Sequence, residues 1–275
     1  MIDSKLLYEK LSWPEIAKAA KDDKFIIVPG GMIEDHGPHL PVDTDTVIAR
    51  AVCERTAEKM NGEALVAPAI ITGYSPHHMD TAGPLTIAWD TFIKYSKDFV
   101  EGFIHHGFRY ILVVNGHGSN APCLELACRL AMVDNDHARV AFTSWWQMSS
   151  VVELAKVIRE SDITSHACEA ETSMYLAVAP EYVDMSKAPK DINFPIQPHF
   201  FTDLLGEPRH PHKNRVSMIE YWSTMTKTGA VGDATVATRE KGLQMLEAAS
   251  TELCEVLREM RDRPWRPRVD RHRPL

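Results

Sequence analysis

Four continuous apolar runs constrain this chain most: FIIVPGG (25–31), ALVAPAI (64–70), YILVVNG (110–116) and RVAFTSWW (139–146). They do not alternate polar with apolar residues. Strands that read this way are covered on both faces, the environment of a parallel sheet. Between them lie segments with helical period, DTVIARAVCERTAEKM (45–60), DTFIKYSKDFVEGFIHHG (90–107) and APCLELACRLAMVDND (121–136). Strand and helix in alternation predict right-handed βαβ crossovers, hence an α/β fold with helices on both faces of a mostly parallel sheet.

Beyond Trp146 the texture changes. A helix is expected over Ser149–Glu160, and another in the later part of SHACEAETSMYLAV (165–178). Residues 183–220 are rich in Pro, His and Phe, and a stretch that long without periodicity points to a binding or covering role. A last helix is expected from Gly232 to Met260, starting from the capping-type GDATVATRE, before an Arg/Pro-rich tail (261–275) suited to subunit contact or disorder. Neither a repeat nor a linker interrupts residues 1–275, so a single domain is expected.

The net charge of -8 argues against nucleic acid or an anionic membrane as partner. Five cysteines without CxxC spacing fit reduced thiols, and the N-terminus lacks a signal-type apolar core. A cytoplasmic protein acting on a small molecule is the expectation.

Ligands of open α/β sheets gather at the carboxyl ends of the strands. Glu34, His36 and Asp45 follow the first strand, inside GGMIEDHGPHLPVDTD; Asn115, His117, Ser119 and Asn120 follow the third. Trp145 and Trp146 end the fourth, and His166, Glu169 and Glu171 open a later helix. Glu34 and His36, two apart, share a face in extended backbone. Carboxylates mixed with imidazoles suit Zn²⁺, Mn²⁺ or Fe²⁺. Each cluster also has a plainer reading: Asp45 as a helix cap, NGHGSN as a tight turn, HACEAE as an acidic helix start.

Taken together, GGMIEDHGPHLPVDTD, VVNGHGSN, HACEAETSMYL and TGAVGDATVATREKG resemble the successive signatures of the creatininase (creatinine amidohydrolase) family, over about residues 20 to 245. The resemblance implies a single-domain three-layer sandwich, a two-metal site loaded with Zn²⁺ or Mn²⁺ and a homohexamer. It implies Glu34 and His117 on one metal, His36 on the other and Asp45 bridging. His166 would carry a proton, and Ser75, His78 and one of Trp145 and Trp146 would meet substrate. Creatininase takes its last ligand from a Glu where this chain has Ser119, which becomes a pocket residue instead. Glu169 is the expected replacement, with Glu171 orienting a ligand or His166. Without the NGHYEN motif of creatininase, creatinine is not the expected substrate. Hydrolysis of a C–N bond, in a cyclic amide for preference, is the leading expectation. Opening of a cyclic ketone, lactone or formamide is its rival, and a structural metal protein the non-enzymatic one. The segment with His199, Phe200, Phe201, Arg209, His210 and His212 is the expected seat of specificity or of a subunit contact.

Overall fold

In a computed structural model, four strands form a parallel sheet: β1 (Phe25–Gly30), β2 (Ala64–Val66), β3 (Tyr110–Asn115) and β4 (Arg139–Ser144), in the order β2-β1-β3-β4. The structure describes residues 2–192, 197, 200, 203, 205, 216, 218–266 and 268–272. His199, Phe201, Arg209, His210 and His212 lie outside that set.

Alternation along each buried strand divides the core between the two faces of the sheet. Phe25, Ile27, Leu112 and Val114 pack with Ile48 and Val52 of helix α2 (Thr44–Lys59) and with Leu253 and Leu257 of the long C-terminal helix. Ile26, Val28, Ile111 and Val113 pack with Phe92 and Phe103 of α3 (Trp89–His105) and with Leu124 and Ala127 of α4 (Ala121–Asp134). This gives the three layers the sequence predicts. A short helix, α1 (Trp13–Lys21), precedes β1; Ser12 caps it, with Glu15 bonded back to the Ser12 backbone at 2.8 Å.

The expected helices hold their places with ends one or two residues in: α5 spans Ser149–Ile158 and α6 spans Glu169–Val178. Two expectations need correction. The last helix, α8, covers Arg239–Asp262 rather than starting at Gly232. Val231–Asp233 is instead the middle strand, β7, of a small antiparallel sheet with β5 (Thr164–His166) and β6 (Lys190–Asp191). Gly232 has φ +134° and passes so close to Cys168 that a Cβ could not fit, which excludes helix there. The second correction concerns Trp145 and Trp146, which form a 3-10 turn after β4 and not its end. At the other end of the chain, Arg139 lies 4.1 Å over the Trp265 ring, fastening the start of the tail. No described helix is long and apolar enough to cross a membrane.

Candidate metal centre

The residues of the centre come from the ends of strands, the loops after them and the first turns of helices. The chain exits β1 at Gly30, and a Glu34 N–H bond to the Val42 carbonyl (2.9 Å) closes the following loop. That loop faces Glu34 and His36 inward and returns in time for Asp45 to enter α2 in its first turn. Asp45 is not the cap; Asp43 holds that position and accepts from the Tyr175 hydroxyl at 3.0 Å. Beside β1, β3 ends at Asn115, whose side chain accepts from the His117 N–H (3.1 Å) and donates to the His117 carbonyl (2.7 Å). This clamp fixes His117 over the cluster. The start of α2 passes under Gly116 with no room for a side chain there.

Asp45 stands at the middle. Its Oδ1 lies 3.1 Å from His36 Nε2 and its Oδ2 lies 3.2 Å from His117 Nδ1. Glu34 Oε1 is 3.1 Å from the same His117 nitrogen and 3.6 Å from His166 Nδ1. The other Glu34 oxygen accepts from Ser75 Oγ at 2.8 Å and lies 3.8 Å from His78 Nε2. All these side chains are buried. Among the described residues, three sets converge closely enough to hold an ion: Glu34–Asp45–His117, His36–Asp45–Glu171 and Glu34–His36–His166.

Three carboxyl groups in so dry a place call for answering positive charge. Burial opposes charge on His36, yet Asp45 outweighs it and raises that imidazole to about 10; Glu34 does the same for His117, also to about 10. Burial opposes ionisation of Glu34 too, but His117 holds it well below the usual range. Glu171 is pushed up to about 8 by burial, with His36 pulling against it. His166 is lowered to about 4 by burial first and by His36 second. Even so, Glu34 Oε1, Asp45 Oδ2 and His117 Nε2 have no hydrogen-bond partner. Donors about 2.0–2.2 Å from a tetrahedral Zn²⁺ lie roughly 3.3–3.6 Å apart, close to the 3.1–3.2 Å spacing around Asp45. The residues present therefore fit a pair of divalent ions sharing Asp45.

Glu169 is not part of this cluster, which corrects the expectation placed on it. Its oxygens accept from the backbone N–H of Glu160 (3.0 Å) and Ser161 (2.7 Å) and pair with Lys241 Nζ at 2.6 Å. Glu171 takes the place instead, 3.9 Å from His36 Nε2, with Oε2 accepting from Ala167 N–H at 2.5 Å. Ala167 adopts φ +48°, an unusual conformation for a side-chain-bearing residue, at the bend between β5 and α6.

The cluster floors a cavity of about 540 Å³. His77, His78, Ser119, Trp146 and His166 line it, as does Phe200 from the irregular segment. Trp145 does not: it is buried in the core beside Trp146, at 1% exposure. Cys168 is likewise part of the core. Ser75 reaches the site through Glu34 and is fully buried. Sequence reasoning missed Trp222, which stacks on His78 (4.7 Å, 17°) and meets His166 edge-on at 4.9 Å. It comes from a four-residue helix, α7 (Trp222–Met225), too short to leave a periodic signal.

The family model for creatininase, described as creatinine amidohydrolase, matches residues 9–257. The chain belongs to the creatininase family. It is 27% identical to a 3-dehydro-scyllo-inosose hydrolase of Thermotoga maritima, over 93% of this chain and 84% of the relative. It is 30% identical to a mycofactocin precursor peptide peptidase of Mycobacterium ulcerans, over 79% of this chain and 78% of the relative. Among solved structures, a creatininase variant described as of Zn-Zn type superposes with a TM-score of 0.74 at 24% identity, covering 92% of this chain and 97% of that one. That likeness bears on the fold: the same layered sheet carries this family member's cluster at its carboxyl edge.

Proposed function

We propose that this creatininase-family chain is a two-metal hydrolase that cleaves a C–N bond beside a carbonyl in a small polar substrate other than creatinine. The observation that carries the reading is Asp45, whose two oxygens serve two separate ligand sets from the centre of a buried carboxylate–imidazole cluster. Glu34, Asp45 and His117 would hold one ion, and His36, Asp45 and Glu171 the other. When bound, such ions lower the pKa of water enough to supply hydroxide near neutral pH and polarise a substrate carbonyl. The Zn-Zn type of the structural relative supports zinc as a suitable metal.

The remaining work falls to the protein. His166 Nε2 points at the Asp35 carbonyl, 2.6 Å away, so that nitrogen carries the hydrogen. Nδ1 is left as the basic atom, facing the cluster and the cavity. It is placed to take a proton from the attacking water and return it to the leaving nitrogen. Trp146 and Trp222 wall the cavity and keep bulk water from the reacting carbonyl. The cavity opens beside both ligand sets, unlike the closed shell of a purely structural metal.

The likeness to the inosose hydrolase, over 93% of the chain, favours a second reading in which a cyclic ketone is opened at the same site. Both readings suit a cytoplasmic homohexamer, which light scattering of the purified protein would check. Metal analysis, followed by chelation and a screen of cyclic amides and ketones, tests the function. Glu34→Ala and His117→Ala should each lose metal and turnover together, and full activity in a metal-free preparation would end the proposal.

A further inference from the structure

Ser119 stands where the resemblance to creatininase calls for an acid, and the metal cluster is complete without it. Its hydroxyl lies 3.2 Å from His77 Nε2, and both side chains line the cavity above the metal cluster. We propose that Ser119 and His77 form a hydroxyl-reading pair that fits this cavity to a neutral polyhydroxylated substrate rather than to an anion. The proposal deepens the function given above and rests on it, because one cavity serves both.

Charge comes first. The described residues lining the cavity include the carboxylates Glu34, Asp45, Glu171, Asp203 and Glu220, and neither a lysine nor an arginine. Arg159 is near but committed: its guanidinium pairs with Asp203 at 2.8 Å and donates to the Ser161 and Asp162 carbonyls. Two divalent ions would bring four positive charges; Glu34, Asp45 and Glu171 answer three, and hydroxide the fourth. Among the described residues the wall therefore has no cation to spare for a carboxylate or phosphate, which arginine forks or lysines normally receive.

Hydrogen bonding comes second. A hydroxyl both donates and accepts, and so does a serine–histidine pair, because either member can be the donor. If Ser119 donates to His77, its oxygen accepts from substrate; if His77 donates to Ser119, the serine hydroxyl turns to the substrate. Ser144, Gln147 and Gln197 extend this neutral lining, and Trp146 and Trp222 add apolar aromatic surface to it.

Calorimetric titration of the zinc-loaded protein with myo-inositol, a neutral ring polyol, and with quinate, a ring polyol bearing a carboxylate, tests this. Myo-inositol should bind at least as well as quinate. Ser119→Ala and His77→Phe should each weaken myo-inositol about tenfold, the worth of one good hydrogen bond, with zinc content unchanged. Ser119→Thr, which keeps the hydroxyl, should stay near the parent affinity. Quinate binding far more tightly, zinc-loaded protein indifferent to myo-inositol, or affinity unmoved in both variants would each overturn the pair. A parent protein that takes up no zinc would overturn the underlying function instead.

Discussion

Gly116 and Asp45 touch through their backbones: a Cβ on Gly116 would fall well inside 3.0 Å of the Asp45 carbonyl oxygen. The loop after β3 can therefore settle onto the first turn of α2 only because residue 116 has no side chain, and that contact sets the height of Asp45 below His117. Gly116→Ala should push the two apart. We expect a loss of about 1–3 kcal/mol, as for other overpacked sites, with weaker zinc binding. Thermal denaturation with and without zinc would show both; unchanged zinc affinity would mean the contact does not position Asp45.

The two acids at the start of α6 should separate cleanly. Glu171→Gln is expected to hold about one metal ion per chain, Asp45→Asn to hold neither ion firmly, and Glu169→Gln to hold both. Glu169→Gln should instead lose stability, by roughly 1–3 kcal/mol, because Lys241 keeps Glu160 and the Val236 carbonyl but loses its buried partner. Elemental analysis beside denaturant titration reads the pattern, and metal loss confined to the Glu169 variant would reverse the assignment.

Ser75 and Asn115 should act at one remove from the metal. Ser75 supplies a hydroxyl donor to Glu34, and Asn115 holds the His117 backbone from both sides. Groups that orient ligands this way typically contribute about 10–100-fold in metal affinity. Ser75→Ala and Asn115→Ala should therefore both bind zinc more weakly while the fold persists, as measured by competition with a chromophoric chelator and by circular dichroism.

The metal-free protein should lose stability in mild acid through His39. Burial, and then the neighbouring charge of His36, lower this imidazole from its ordinary 6.5 to about 4. The folded state thus favours the neutral ring. Its contribution is whole above pH 6.5, declines as pH falls and is gone below about 4, a span worth up to about 3 kcal/mol. His39→Gln should flatten that part of the stability–pH curve, and an equally steep curve would show that other groups carry the acid sensitivity.

Much of this is legible in the amino-acid sequence. Continuous apolar runs give the parallel sheet because only strands covered on both faces tolerate them, and the loop after the first strand gives Glu34, His36 and Asp45 as one group because they are close along the chain. The antiparallel β5–β7–β6 sheet was not legible: three residues or fewer per strand leave no period to read, and TGAVGDATVATRE carries a cap signal that belongs to Thr238, further along. Trp222 reaches His78 from far along the chain, so nothing local marks it.

The choice between Glu169 and Glu171 divides the two kinds of information most sharply. From HACEAE alone the sequence determines that a helix start will bring an acid toward the cluster. Two residues on a helix point about 200° apart, so one acid must turn inward and the other away. The rotation of α6 decides which. It is set by α8, where Gly242 lets the helix press against the Ser173 carbonyl and Lys241 draws Glu169 away from the cluster. Packing between elements some 70 residues apart thus leaves Glu171 facing His36, and only the tertiary structure could say so.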